Sequence, residues 1–102
     1  MADFNPSGVW GAQLLVGTQV TFNIGPVQPN GSFSGSANGV LGTGQGSGWA
    51  LGRLFVFKVD WPDQSASLYS GWLDGDRTIR GSVMGRVGAP TTSIGWGSLK
   101  QF

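Results

Sequence analysis

The chain has 102 residues, which suits a single domain with a modest core. Hydrophobic residues make up 39%, too many for a disordered chain, and the 19 glycines follow no three-residue period, which excludes collagen. Six Lys/Arg against five Asp, with no Glu, leave a net charge of +1, too weak a field to imply nucleic acid or an anionic membrane as partner. The chain has no cysteine, so it can form no disulfide or thiolate metal site, and no histidine, so it lacks the commonest general base.

Helical periodicity is nearly absent and period-two alternation is plentiful. Strands are expected near 8–15, 18–25, 31–38, 48–52, 53–61, 66–74, 77–85 and 92–101. In the second, Val20, Phe22 and Ile24 share one face and Gln19, Thr21 and Asn23 the other. The fifth puts Phe55, Phe57, Val59 and Trp61 on one face, while its other face turns polar at Lys58 and Asp60. Pro29-Asn30-Gly31 and Asp74-Gly75-Asp76 read as turns, and Pro62-Asp63 and Ala89-Pro90 mark two further breaks. Gly39 to Gly48 reads as one long flexible loop. Eight short strands with short connections predict an all-β antiparallel meander, closed as a barrel or pressed into a barrel-like sandwich.

A recurring pattern, apolar-x-Gly-x-x-x-Gly, runs through Phe33-Ser-Gly35, Tyr69-Ser-Gly71 and Ile79-Arg-Gly81. On a strand its named positions share one face with Ala37, Leu73 and Val83, so large and empty positions alternate. Such glycines allow the bending a barrel needs, and they also predict interior space that a ligand can fill. The opposite face carries Leu68, Trp72 and Met84. Paired strands would gather these three into an apolar patch outside the barrel, expected to be a subunit contact.

Catalytic chemistry finds little support. Asp74 and Asp76 flank Gly75 in a turn, where capping of the turn accounts for them. The run Gly42-Thr-Gly44-Gln-Gly46-Ser-Gly48 lacks the lysine and helix of a phosphate loop. Arg77, Arg80 and Arg86 cluster near one hairpin end, with Arg77 and Arg80 expected on opposite faces of a strand. No catalytic residue, metal or cofactor is implied. Five tryptophans, Trp10, Trp49, Trp61, Trp72 and Trp96, exceed what a small core needs and point to binding of flat ligands, sugars or partner surfaces.

The order of features resembles the avidin and streptavidin family. An early Gly8-Val-Trp10-Gly-Ala-Gln-Leu14 is followed by Asn30-Gly31-Ser-Phe33-Ser-Gly35, by Leu54-Phe-Val-Phe57-Lys-Val59-Asp-Trp61, by Ser65-Ala-Ser67-Leu-Tyr69-Ser-Gly71, and by Gly95-Trp96. The resemblance implies an eight-stranded up-and-down barrel that holds a small ligand in its mouth and assembles as a homo-oligomer. It places Ser65 and Ser67 where that family sets hydroxyls on its ligand, Phe57 and Tyr69 at aromatic walls, and Trp96 at another aromatic position. Three positions depart from it: Ala12, Val16 and Ala37 stand where the family carries polar groups around biotin. Losing them costs about 1–3 kcal/mol for each group left unsatisfied, which weighs against tight biotin binding.

The expected activity is therefore non-catalytic binding of a small molecule in an aromatic-lined mouth. Gln13, Thr18, Phe57, Trp61, Ser65, Ser67, Tyr69 and Trp96 are the candidate contacts. The alternative is a lectin that uses Trp72 and the Asn and Asp of loops 28–31 and 72–76 on sugars. The first residues carry no charged segment followed by an apolar run. That predicts a cytoplasmic protein, although a shortened secreted chain reads the same.

Overall fold

The computed structural model describes residues 2–85 and 93–102. The chain forms eight strands: β1 (Gly8–Leu14), β2 (Gln19–Ile24), β3 (Ser32–Gly39), β4 (Gly42–Leu51), β5 (Leu54–Asp60), β6 (Ala66–Leu73), β7 (Ile79–Gly85) and β8 (Ile94–Ser98). Each pairs antiparallel with the next, and β8 returns to β1 through Ala12↔Ser98 and Leu14↔Trp96, which closes the barrel. The eight-stranded up-and-down barrel expected from the alternation is the architecture found. The Ala89-Pro90 break and Arg86 lie outside the described residues.

Alternation sorts each strand into an inner and an outer face. Val20, Phe22 and Ile24 of β2 point inward, as do Phe55, Phe57 and Val59 of β5, with Trp61 just beyond it. The glycine pattern also falls inward: Phe33, Ala37, Tyr69, Leu73, Ile79 and Val83 are all buried. Leu68, Trp72 and Met84 stand on the outer face as expected, with Leu68 directly opposite Met84.

One expectation fails. Residues 39–48 are not a long loop: Gly39 pairs with Gly42 across a two-residue turn, and β4 runs from there to Leu51. The inner face of β4 is a lane of glycine, each directly opposite a residue of β3: Gly44 with Ala37, Gly46 with Gly35, Gly48 with Phe33. That lane is where the large residues of neighbouring strands fit. A Cβ on Gly46 would lie 2.7 Å from the Phe57 ring, one on Gly48 2.9 Å from the Phe33 ring, and one on Gly44 3.0 Å from the Trp61 indole. The stretch alternates glycine with polar residues, so it carries no hydrophobic signal, yet β3 and β5 hold it from both sides.

The two barrel ends differ. Strands β1, β3, β5 and β7 start at the end where the described termini gather. Residues 2–7 cross it, anchored by the Asp3 amide on the Gly52 carbonyl at 2.7 Å. The Trp10 Nε1 donates to the Pro6 carbonyl at 2.8 Å, and Phe4 meets Phe102 edge-on at 6.0 Å. Arg77 ties both termini down, donating from Nε to the Phe102 carbonyl at 2.6 Å and from a terminal nitrogen to the Asp3 carbonyl at 3.1 Å. It sits in the turn before β7 at φ 68° rather than on a strand face, which corrects the expected placement of Arg77 and Arg80 on opposite faces of one strand.

Four turns share one device. Asn5, Asn30, Asp63 and Asp76 each accept, through Oδ1, the backbone N–H and the hydroxyl of the residue two places on: Ser7, Ser32, Ser65 and Thr78. Each such clasp lies immediately before a strand or, at Ser32, on its first residue. Asp76 is held below its usual pKa, first by the Thr78 hydroxyl and then by the Thr78 amide.

Candidate functional site

The end away from the termini is framed by the β1–β2 turn, the two-residue β3–β4 turn and the loop from Trp61 to Ser65. Its inner wall is made by the strand ends there: Leu14, Val20, Ala37, Val59, Ser67 and Val83, all buried. Trp61 is the one ring among these positions and Ser67 the one hydroxyl. They are joined, the Trp61 Nε1 donating to Ser67 Oγ at 2.8 Å. The opposite end is closed by rings: Phe4, Trp10, Phe33, Phe55 and Phe102. Any molecule reaching the interior meets small and aliphatic side chains at the first end and a stack of rings at the second.

Between the ends, Phe22 is the hub of the ring cluster. Its centroid lies 5.0 Å from Trp10, 5.2 Å from Phe57 and 4.9 Å from Tyr69, edge to face in each case. Trp96 meets Tyr69 at 6.0 Å and lies over the neighbouring strands β7 and β6, its Nε1 donating to the Ser82 carbonyl at 3.0 Å and the Ser70 carbonyl at 3.2 Å. Gly71 makes room for it: a Cβ there would lie 2.9 Å from the indole. The glycine gaps expected to leave a hollow are therefore occupied by the protein's own rings. An eight-stranded barrel is just wide enough for side chains to fill it.

Tyr69 is the exception in this satisfied interior. It is fully buried, and its hydroxyl has no hydrogen-bond partner among the described residues. Burial pushes its pKa from 10.0 up to about 12, so the phenol stays neutral across the physiological range. A buried hydroxyl without a partner costs about 1–3 kcal/mol, and so calls for an explanation.

The expected contacts separate into three groups. Phe57, Tyr69 and Trp96 stand together in the ring cluster, and Trp61 and Ser67 lie between it and the framed end. Ser65 sits in the framing loop, but its hydroxyl is engaged by Asp63. Gln13 does not face the interior, and Thr18, half-buried, gives its carbonyl to the first turn. Gln13 points outward from β1, and its Nε2 donates to the Leu14 carbonyl at 3.1 Å and the Thr18 carbonyl at 3.3 Å, so both serve the first turn. Of the three departures, Ala12 and Ala37 are inward and buried, whereas Val16 is exposed in that turn. The alternative sugar loops have spent their polar groups. Asn30 clasps Ser32, and Asp74 and Asp76 both lie on Arg80, at 3.4 and 3.0 Å.

Two features escaped the sequence reading. The closure of one end by Phe4 and Phe102 leaves no local signal. The Asx-x-Ser/Thr clasps were legible as a repeated spacing.

No family model matches the chain, and no curated protein does. Among solved structures, the chain is similar to a redesigned β-barrel, mFAP1, bound to DFHBI: TM-score 0.61, 13% identity, 93% of this chain and 94% of that one. It is also similar to EF1p2_mFAP2b bound to DFHBI: TM-score 0.58, 11% identity, 90% of this chain and 89% of that one. These likenesses show the barrel fold. The resemblance to avidin and streptavidin extends to that architecture, and membership of the family is not shown.

Proposed function

We propose that the chain is a non-catalytic binder of a small, flat organic molecule, taken up through the end framed by the β1–β2 turn, the β3–β4 turn and the Trp61–Ser65 loop. The Tyr69 hydroxyl carries this reading. It is a polar group enclosed among rings with no hydrogen-bond partner among the described residues, and a ligand bearing a carbonyl, phenolate or amide would satisfy it. Phe22, Phe57 and Trp96 now pack on one another, and such a ligand would have to part them to stack on their faces. The Trp61–Ser67 hydrogen bond lies at the proposed opening, where one indole rotation would expose the Ser67 hydroxyl to an incoming group. Two of the similar solved barrels are bound to DFHBI, a small molecule, which supports the choice of ligand class. Biotin is disfavoured by Ala12 and Ala37, which offer it no polar group. The sugar reading is weaker, because its candidate polar groups are held within their own turns.

The experiment is calorimetric titration with DFHBI and a panel of flat heteroaromatics, alongside native mass spectrometry of protein taken directly from the producing cells. The expected result is one bound molecule per chain, with affinity lowered about tenfold by Tyr69→Phe, the equivalent of one good hydrogen bond. The reading fails if no molecule is retained and none of the panel binds, or if Tyr69→Phe binds as tightly as the wild type.

A further inference from the structure

Independently of any ligand, we infer that the outer face of β4 to β7 is a two-fold contact between copies of this chain. Six large apolar side chains stand exposed together on this face. Along one row, Leu51 pairs with Leu54, Leu54 with Trp72, and Trp72 with Arg80. In the next row Trp49 lies opposite Val56, and the row continues into Ser70 and Ser82. In the third, Leu68 lies opposite Met84. Trp49 is 53% exposed and Trp72 54%. Leu51, Leu54, Leu68 and Met84 are each exposed by about two fifths.

Relief identifies the occupant. Ser70 and Ser82 put only hydroxymethyl groups between the Trp72 row and the Leu68–Met84 row. With Gly71 and Gly81 as floor, they make a shallow, widely open depression of about 270 Å³ bordered by Leu54, Trp72 and Arg80. A protruding indole and a depression that can receive one thus stand side by side on the same surface. That is the requirement of an isologous contact, in which a single patch must complement itself. A two-fold axis through this face sets Trp72 of each copy into the hollow of the other.

Area and charge agree. The two half-exposed indoles offer roughly 100 Å² each, and the four aliphatic side chains bring the apolar total to the order of 500 Å². The serine and glycine atoms between them add little, so one copy's share stays below the roughly 800 Å² per partner of a standard interface, the size of a weak contact that dissociates on dilution. Arg80 at the rim is already neutralised by Asp74 and Asp76. Lys58 and Asp60, on the outer face of β5, balance each other. A net charge of +1 puts little repulsion between copies.

Sedimentation and light scattering across a concentration series test this. The wild type should show twice the 10.6 kDa of one chain at high micromolar concentration and fall toward one chain on dilution. Trp72→Arg should weaken the association at least a hundredfold and Leu68→Lys at least tenfold, while Trp72→Phe keeps most of it. Val40→Ser, in the exposed β3–β4 turn, should leave the mass unchanged. Far-UV and near-UV circular dichroism establish that each variant is folded. The emission of Trp49 and Trp72 should shift to longer wavelength on dilution. A wild type of one-chain mass throughout overturns the inference, including the case in which that monomer binds a saccharide through Trp72. A doubled mass that survives Trp72→Arg overturns it equally.

Discussion

Replacing Tyr69 by phenylalanine removes one oxygen from the middle of the barrel and leaves every ring contact in place. In the wild type that oxygen is stripped of water and has no partner among the described residues, so it lowers the stability of the folded chain by about 1–3 kcal/mol. The variant leaves a void no larger than the lost oxygen, which returns a fraction of that. The net expectation is a gain of about 1 kcal/mol. In a domain of this length that raises the melting temperature by roughly 4–8 °C.

The pH dependence supplies a second reading of the same atom. The folded phenol titrates near 12 and the unfolded one near 10.0, so between those values the unfolded chain has lost a proton that the folded chain keeps. Stability is then undiminished below pH 10 and falls as pH rises through 12, by roughly 2–3 kcal/mol in total at 1.36 kcal/mol per unit. Tyr69→Phe should lack this share of the alkaline decline. Urea denaturation of both proteins at neutral pH and across the alkaline range measures both effects. Because Tyr69 is the chain's single tyrosine, phenolate absorbance reports its ionisation without overlap. A variant less stable than the wild type by 1 kcal/mol or more at neutral pH would refute the reasoning, since it would show that the hydroxyl is well partnered.

Two further substitutions probe the barrel wall. Gly48→Ala would put a Cβ 1.8 Å from the Val56 carbonyl and 2.9 Å from the Phe33 ring, so it should cost about 3 kcal/mol or more or prevent folding. Gly75→Ala, in a turn with nothing within 4 Å, should stay within about 0.5 kcal/mol of wild type, and thermal melts of the pair check the contrast. Ser67→Ala orphans the buried Trp61 indole N–H and should cost about 1–3 kcal/mol, with a change in tryptophan emission; an unaltered denaturation midpoint would show that the Trp61–Ser67 bond contributes nothing.

The inward faces of β2 and β5 were legible because Val, Ile, Phe and Trp alternate there with polar residues, and alternation is what a half-buried strand imposes. Only the end of β4 was legible, as the strand expected near 48–52; the part from Gly42 was not, because its inward positions are glycine. The side chains that fill its lane belong to Phe33, Phe57 and Trp61, on strands whose register no local pattern reveals. The same blindness produced the expected hollow. Glycine on an inward face announces missing volume, but only the register shows that Trp96 occupies the place beside Gly71. Among the candidate contacts, Phe57 and Tyr69 were placed on inward faces by period, whereas Ser67 came from the family resemblance. Gln13 is not inward, because it sits one position out of phase with the buried Trp10, Ala12 and Leu14. The latch of Phe4, Arg77 and Phe102 joins distant parts of the chain and so left no trace in any short window.

The closed hydrogen-bond ladder also governs how copies of this molecule can meet. Every strand has a neighbour on both sides, so among the described residues no edge strand is left to offer a foreign strand a template for growth by sheet extension. Encounters are confined to side chains projecting radially from the wall. Assembly is thereby limited to patches that can be altered one residue at a time, without disturbing the cylinder that carries them.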